Sequence, residues 1–499
     1  MAYSLKATAR CPVKSPRKTP RSKRKGRWVV PRRADLSFRA LIGLGAFLVL
    51  APVSANANRY DPTTLVFPPF AHTMGYHKAS DYFLRFFLGR GISFRNPQGV
   101  CAVRMISTDD PASVKDDDEL SLFAASARLH QILYNEELFK LKLFGGFGRG
   151  EGKFWSPHGV AATVTGKIYV ADTGNDRIVI LKTDGKKLSY VSAFGQFGLA
   201  PGEFDDPVGM AVDSQNRVYV TDMSNNRVQV FDSTGKYIYS FGTDYLREPT
   251  GIAVLDANDP WTYYKESFLV VVDEEGKRLT RFSLQGRKEK SITYKTLNLE
   301  TSRFAYAAID YYNNVYLTDS INCQIHKLDK DLNPIVSFGR KGTGEKEFLH
   351  PTGITIWKRF GQVFILDESG AHYYWVGVDA YLRGFFPPEF GQKGKPGTTI
   401  SIYLTEPALV GMKVYDSEGV LVRQLLPEFK QFPRENDIVW NGLDNNGNFV
   451  KPGTYTLKMS IEPTYSSRRH FKKELTGTVR VVSSEAEDME KGIYGLPED

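Results

Sequence analysis

The stretch Pro157–Gly195 contains residues whose types and spacing could do chemistry. His158 follows a proline, and Asp172, Asn175 and Arg177 lie within six positions of one another. An imidazole can act as a metal ligand or a general base near neutral pH. A carboxylate, an amide and a guanidinium at this spacing can bind a polar ligand, or they can tie down a tight turn. Whether these residues recur elsewhere in the chain decides between the two interpretations.

The stretch is one copy of a repeat. A second copy begins at Pro207 and places Asp222, Asn225 and Arg227 at the same offsets. The aspartate that ends the second strand of each copy can be followed along the chain, as Asp172, Asp222, Asp273, Asp319 and Asp367, with Ala125 in the equivalent slot of a degenerate copy. The copies recur every 46 to 51 residues, and each contains four short apolar strands. The pattern predicts an all-β fold, a six-bladed β-propeller.

Residues that recur in nearly every copy favour a structural role. We therefore interpret ten of them as repeat scaffold: Asp172, Asn175, Arg177, Asp222, Asn225, Arg227, Asp273, Arg278, Asp319 and Asp367. We expect the arginines to bridge to a carboxylate or carbonyl of the next blade. Three aromatic residues of the connectors between blades, Phe154, Phe204 and Phe348, are predicted to pack between blades. Function is expected where the repeat is broken.

The position after the proline that enters each blade is such a place, because it should lie near the mouth of the central channel. Blades one to six carry Gln98, His158, Val208, Thr250, Ala305 and Thr352 there. The polar members Gln98, His158, Thr250 and Thr352 are the candidate ligand-binding residues. A catalytic zinc needs about three protein ligands, and this ring offers one imidazole. No cofactor or metal is therefore predicted. A three-histidine site of His158, His350 on a connector and His372 on the turn of blade six is the alternative.

The ends of the propeller should be joined within one blade. Blade six shows three clear strands, and DYFLRFFLG at residues 81–89 resembles the fourth strand of the other copies. We therefore expect Tyr82–Leu88 to complete blade six and leave no open edge. The two cysteines beyond the leader, Cys101 and Cys323, fall in blades one and five, which are not neighbours. They are expected to be separate thiols.

The cassette VAD-x-x-N-x-R-I, followed by a glycine turn and an aromatic-glycine end, resembles the NHL repeat of six-bladed propellers over residues 81–380. Residues 381–482 show alternating strands with VWNG, DNNG and PGTY motifs, and they resemble the small immunoglobulin-like β-sandwich of flagellar hook-capping (FlgD-like) proteins. Trp440 is expected to anchor its core, and Asn446-Gly447 to form a hairpin turn. Residues 58–80 are predicted to be extended, and residues 483–499 to be an acidic flexible tail.

The N-terminal 57 residues predict export. A basic run precedes a short apolar core and the small residues Ala55-Asn56-Ala57, which is the pattern of a signal peptide cleaved after Ala57. An uncleaved anchor, and a true start at Val29 or Val30, remain open. This leader holds 13 Lys and Arg against one acid, so the net charge of +9 becomes −3 without it. Since the basic excess is confined to the leader, nucleic acid is not expected as a partner, and no stable membrane span is expected after cleavage.

These patterns predict a non-catalytic protein of the periplasm, cell surface or extracellular space. The propeller would present one face to a protein, peptide or glycan of the cell envelope. The alternative, implied by relatives of the same propeller class, is an extracytoplasmic metal-dependent lyase or lactonase. A structural component of a surface assembly, docked through the sandwich, is a third possibility. No GxSxG, CxxCH, HExxH or phosphate-loop motif is present in the sequence.

Overall fold

The computed structural model describes residues 62–68, 78–93, 96–107, 109, 120–136, 140–184, 187–391 and 397–483. The predicted leader, most of the insertion 107–119 and the tail beyond residue 483 lie outside these ranges. Export and cleavage therefore stay predictions. Within the described ranges, no helix is both long enough and apolar enough to cross a bilayer.

The described chain starts with two very short strands and one helix, β1 (Leu65–Val66), β2 (Lys78–Ala79) and α1 (Asp81–Leu88). Antiparallel four-stranded sheets then follow one another. The first three are β3 (Pro97–Arg104), β4 (Leu120–Ser126), β5 (Gln131–Glu136) and β6 (Lys140–Gly145); β7 (Val160–Ala162), β8 (Lys167–Asp172), β9 (Arg177–Thr183) and β10 (Leu188–Phe194); and β11 (Pro207–Val212), β12 (Val218–Asp222), β13 (Arg227–Phe231) and β14 (Tyr237–Phe241).

The next two sheets repeat the same order, with β15 (Ile252–Leu255), β16 (Phe268–Asp273), β17 (Arg278–Phe282) and β18 (Lys288–Thr293); and β19 (Phe304–Ile309), β20 (Val315–Asp319), β21 (Gln324–Leu328) and β22 (Pro334–Phe338). The following connector contains β23 (Arg340–Lys341) and β24 (Glu347–Phe348). The last sheet has β25 (Ile354–Trp357), β26 (Gln362–Asp367) and β27 (Gly370–Val376). In this blade β1 and β2 both pair with β27, so N-terminal residues complete a sheet built by the C-terminal end of the ring.

The first strands of the described sheets form a closed ring, in which β25 lies beside β3. Glycine stands two residues after the entry proline in five blades because the next blade approaches too closely for a side chain. A Cβ on Gly159 would lie 2.3 Å from the carbonyl oxygen of Val208. A Cβ on Gly353, in blade six, would lie 2.2 Å from that of Gln98 in blade one. The same contact that joins successive blades therefore also joins the last blade to the first.

The prediction that Tyr82–Leu88 forms the closing strand is wrong, because these residues form helix α1. Leu84 and Leu88 lie one helical turn apart on the same face. Leu84 is fully buried against leucines of blade one, whereas Tyr82 and Phe86 are 70% exposed. Asp81 in the first turn is also favourable at a helix N-terminus. The ends of the propeller are joined within blade six as predicted, but the two-residue strands β1 and β2 make the junction.

Blades pack on one another through buried aromatic and aliphatic side chains. Phe154, Phe204 and Phe348 are fully buried at equivalent positions of three connectors. Their rings lie directly against Gly145, Gly195 and Gly339, where a Cβ would approach the ring within 2.6 Å. Cys101 and Cys323 are free thiols in different blades.

A β-sandwich follows the ring. One sheet contains β28 (Ala380–Phe386), β30 (Thr398–Leu404) and β33 (Arg434–Trp440); the other contains β29 (Glu389–Gly391), β31 (Ala408–Tyr415), β32 (Leu421–Gln431), β34 (Gly453–Pro463) and β35 (Lys473–Val482). Trp440 is fully buried in its core, and its indole N–H donates to the Leu443 carbonyl at 3.1 Å. Gly447 has φ +83° in a turn closed by its N–H to the Asp444 carbonyl. The predicted all-β class, a propeller followed by an immunoglobulin-like sandwich, is confirmed.

The sandwich contacts only one face of the ring among the described residues. We call the face that carries the blade entries and the second-to-third-strand turns the entry face, and the opposite one the far face. The sandwich reaches far-face turns of blade five, where Tyr403 donates to the Ile335 carbonyl at 3.1 Å and Thr464 bonds Tyr312 at 2.8 Å. Buried Lys327 also forms an ion pair with Glu406. The entry face is left uncovered by the sandwich.

Candidate functional site

The recurring aspartates sit beneath the entry face as hydrogen-bond hubs. Asp172 ends β8 and is fully buried. Its carboxylate accepts the Trp155 N–H at 2.6 Å, Asn175 Nδ2 at 2.8 Å and Arg177 Nε at 2.8 Å. Since each bond reaches the incoming connector or the adjacent turn, the carboxylate joins two segments of backbone.

Blade three repeats this arrangement residue for residue. Asp222 accepts the Asp205 N–H at 2.8 Å, Asn225 Nδ2 at 3.0 Å and Arg227 Nε at 2.8 Å. Arg227 also donates to the Glu203 carbonyl at 2.9 Å. The arginines thus bind carbonyls of the connector that enters their own blade. The expectation that they reach the next blade is wrong.

The remaining copies keep the aspartate and change its partners. Asp273 pairs with Arg278, whereas Asp319 is held by His326 Nε2 at 3.2 Å. In blade one the slot holds Ser126, which pairs with Gln131 as Asp172 pairs with Arg177. The assignment of Ala125 to this slot is therefore wrong by one residue, because blade one carries Ser126 and Leu129 in place of the Asp and Asn that mark the register in other blades.

Burial and hydrogen bonding compete at these carboxylates. Burial raises the pKa of Asp172 and of Asp222 against the opposing hydrogen bonds of their partners. At Asp367 burial also favours the neutral acid, but His372, Ser369 and the His350 N–H outweigh it and lower the pKa to about 2. The two groups of hubs should therefore respond to pH in opposite directions.

A cavity of about 560 Å³ opens at the centre of the entry face, and we call it the mouth. All six residues that follow the blade-entry position line it: Gln98, His158, Val208, Thr250, Ala305 and Thr352. The structure therefore brings the four predicted ligand-binding residues together in one cavity. Their role in binding remains a prediction.

A second ring of mouth residues was missed by the sequence analysis. The residue before each blade-entry position also lines the cavity, and the six are Asn96, Ser156, Asp206, Glu248, Arg303 and His350. The first four have φ between +47° and +56°, an unfavourable region for residues other than glycine. They could have been identified from the sequence, because the residue type at this position differs in every blade, whereas the position that follows it is proline in five blades.

Three of these residues are held by side chains of the preceding blade. The Ser156 N–H donates to His130 Nδ1 at 3.0 Å, and the Glu248 N–H donates to Asn226 Oδ1 at 2.8 Å. The Asp206 N–H donates to Asp176 Oδ1 at 3.1 Å. The backbone of the mouth is thus fixed by a repeated contact, whereas its side chains vary.

His158 has a defined tautomer. Its Nδ1 lies 2.8 Å from the Ser156 carbonyl oxygen, which can only accept, so Nδ1 carries the proton. Burial lowers the pKa of His158, although the Ser156 carbonyl and Asp206 oppose this effect. The ring is therefore neutral at pH 7 and keeps a lone pair on Nε2, which can accept a ligand proton or bind a metal.

The three histidines of the alternative site are not brought together. His158 and His350 line the mouth, but His372 is buried within β27, with Nε2 3.7 Å from Asp367. Its placement on the turn is wrong. His372 stands on the third strand beside the hub aspartate, as His326 and Gln229 do in their blades.

Three carboxylates gather at the rim of the mouth. Atoms of Asp176, Asp205 and Asp206 lie within 4.8 Å of one another, at a spacing that a cation could bridge. Burial and the negative charges of Asp205 and Asp206 raise the pKa of Asp176. This side of the mouth is therefore electronegative.

Tyr306 forms the floor of the mouth. It replaces the glycine that stands two residues after the entry proline in the other five blades. Its hydroxyl reaches from blade five to Gln98 Oε1 of blade one, at 3.4 Å. It also lines a second cavity of about 170 Å³ along the channel, where most of the other lining residues are aliphatic. Its side chain therefore contributes to the walls of both cavities.

Comparison with known proteins agrees with this architecture. Residues 154–181 and 204–231 match the NHL repeat, and residues 390–463 match the FlgD Ig-like domain. The resemblance to NHL-repeat propellers is confirmed. So is the resemblance of the C-terminal module to the FlgD Ig-like domain.

No curated protein matches the chain in sequence. Among solved structures, a streptogramin B lyase is 17% identical, over 57% of this chain and 94% of the lyase, with a TM-score of 0.38. A putative gluconolactonase is 11% identical, over 62% of this chain and 93% of its own, with a TM-score of 0.42. Virginiamycin B lyase from Staphylococcus aureus is 15% identical, over 52% of this chain and 82% of the lyase, with a TM-score of 0.37. At these values none of them bears on function.

Proposed function

We propose that the protein is an exported, non-catalytic binding protein of the cell envelope, and that the mouth is its ligand site. The observation that carries this proposal is the convergence of two rings of variable side chains on one cavity. Concave sites with a few convergent polar groups are where proteins usually bind ligands. A protein, a peptide or a glycan is the proposed partner.

Two further features support the mouth as the binding face. The sandwich contacts the far face, so it can dock or space the propeller without covering the mouth. The hub aspartates and the connector contacts fix the backbone below the mouth, so side chains can vary on a rigid frame. Export is proposed from the leader sequence alone.

A test compares two variants for binding to envelope proteins, peptides and glycans. The mouth variant combines Gln98→Ala, His158→Ala, Thr250→Ala and Thr352→Ala. The control combines Lys236→Ala and Arg287→Ala, which are exposed on far-face turns. We expect the mouth variant to lose its ligand and the control to retain it. Equal binding by the two variants would contradict the proposal.

A metal-dependent lyase or lactonase is the second candidate, favoured by His158, His350 and Asp206 lining one cavity. The free Nε2 of His158 and the Asp206 carboxylate are donors that Zn²⁺ accepts. Metal analysis of the purified protein separates the two candidates. Stoichiometric, tightly held metal that is lost in His158→Ala would favour the enzyme.

A further inference from the structure

An exposed group of rings stands beside the mouth, and we call it the aromatic shelf: His130, Phe147 and Trp155. The ring centroid of Phe147 lies 5.0 Å from that of His130 and 6.1 Å from that of Trp155. Phe147 is 66% and Trp155 51% exposed. Such large rings at the surface, grouped rather than scattered, indicate an interaction site.

The shelf adjoins the mouth directly. Trp155 precedes Ser156, and its ring rests on the backbone of Gly174, where a Cβ would lie 2.7 Å from Trp155 Cγ. Ser156 and Gly174 both line the mouth. A ligand that leaves the mouth towards blade one therefore meets the indole.

The shelf belongs to a single blade junction. At the next junction Asp176 stands where His130 stands, since each accepts the N–H of the residue before the entry proline. Asp205 stands where Trp155 stands, since each donates its N–H to a hub aspartate. The imidazole and the indole are thus not needed for the repeat, since carboxylates replace both at the next junction. The third ring, Phe147, does recur there as Phe197.

The backbone of the mouth has few donors left for a peptide. The N–H groups of Ser156, Asp206 and Glu248 are taken by side chains of the preceding blade. Those of Arg303 and His350 are taken by Asp319 and Asp367. Recognition at this ring must therefore use side chains, which does not suit pairing with an extended peptide backbone.

The side chains suit a ligand rich in hydroxyl groups. Amides, hydroxyls and neutral imidazole, as in Gln98, Thr250 and His158, both donate and accept hydrogen bonds. The carboxylates Asp206, Glu248 and Glu275 outnumber the guanidinium of Arg303 in the lining, which disfavours anionic ligands.

We propose that the mouth and the aromatic shelf together bind a glycan of uncharged or amino sugars, with a sugar ring stacked on Trp155. The C–H face of a pyranose is apolar and can cover an indole, while its hydroxyls bond the polar side chains of the mouth. This inference rests on the proposed function of the mouth and names its ligand class.

The test is calorimetric titration of the purified protein with β-1,4-linked hexamers of glucose, N-acetylglucosamine and glucosamine, and with a hexamer of galacturonic acid. We expect at least one of the first three to bind and the acidic hexamer not to bind. Trp155→Ala should weaken binding about tenfold, as expected for loss of a stacked ring. Trp155→Phe should retain most of the affinity. Phe197→Ala, at the 68% exposed equivalent of Phe147, is the matched control and should change affinity less than about twofold.

Each other outcome overturns the inference. Binding of none of the three hexamers, or equal losses in Trp155→Ala and Phe197→Ala, means that the ligand is not a glycan stacked on the shelf. If a peptide or protein then binds and is lost in the mouth variant, the proposed function stands and only the ligand class is wrong. If no ligand depends on the mouth, both are wrong.

Discussion

The hub aspartates and the mouth residues are neighbours in five of the six blades, yet they differ in how they vary. Asp172 and Asp222 have the same three partners at nearly the same distances. Directly after the connector residue that each of these hubs binds, the mouth carries Ser156 in one blade and Asp206 in the next. Recurring polar residues in a repeat protein are thus best understood as structure, and varying ones as candidates for binding. That division can be tested by damaging one region alone or by measuring how the two differ.

The largest effect is expected from removing a hub. Asp222→Ala leaves the Arg227 guanidinium without its buried partner and frees the Asp205 N–H. Breaking a buried pair on one side costs about 3–5 kcal/mol of unfolding free energy. Urea denaturation would measure the loss. Asp206→Ala, in the mouth, should cost less than about 1 kcal/mol. Similar losses in the two variants would abolish the distinction.

A smaller loss is expected where successive blades touch. Gly159→Ala places a Cβ 2.3 Å from the Val208 carbonyl oxygen, so the two blades must separate. Overpacking of this kind costs about 1–3 kcal/mol. Gly150→Ala, in the same connector, meets no atom within 4 Å and serves as the matched control. Thermal unfolding of the two variants should differ by several degrees, and equal midpoints would argue against tight ring closure.

The contributions of individual hub aspartates to stability should also change differently as the pH falls. The pKa of Asp367 is lowered to about 2, so its contribution to stability is present above the unfolded value near 4 and is lost as the pH falls from about 4 to 2. The raised pKa of Asp222 makes its contribution increase as the pH falls. Asp367→Asn should therefore remove about 2 kcal/mol of pH-dependent stability over that window. Asp222→Asn should change the slope with the opposite sign, and slopes of the same sign would refute the assignment.

The smallest effect on stability is expected in the mouth. His158→Ala removes one hydrogen bond, to the Ser156 carbonyl, and should cost about 1 kcal/mol or less. Its effect should appear in ligand affinity instead. A large loss of stability with unchanged binding would show that His158 has a structural role and does not bind the ligand.

The repeat made the architecture predictable because one strong pattern was sampled several times. The segment predicted to close the ring has no second copy to compare it with, and there the prediction failed. The segment DYFLRFFL has apolar residues at the spacing of a strand and also at that of a helix. Only the burial of Leu84 in the structure distinguishes the helix from the strand. The two-residue strands β1 and β2 are too short for any periodicity to reveal.

The mouth was predictable only in part, for a similar reason. Counting from the entry prolines located Gln98 and Thr250, because equivalent positions of a closed ring must converge. Tyr306 was missed although its sequence marks it, since FAY stands where the other blades have a proline, a variable residue and glycine. Its reach to Gln98, across blade six, depends on the closed ring and not on local sequence.

The measurement that tests the central claim most directly combines binding and stability in one pair of proteins. Wild type and the mouth variant would be compared for retention of ligands from a cell-envelope extract and, in the same preparations, for unfolding free energy in urea. We predict that the mouth variant stays folded, within about 2 kcal/mol of wild type, and loses its ligand. A mouth variant that keeps both its stability and its ligand would show that the entry face is not the binding site.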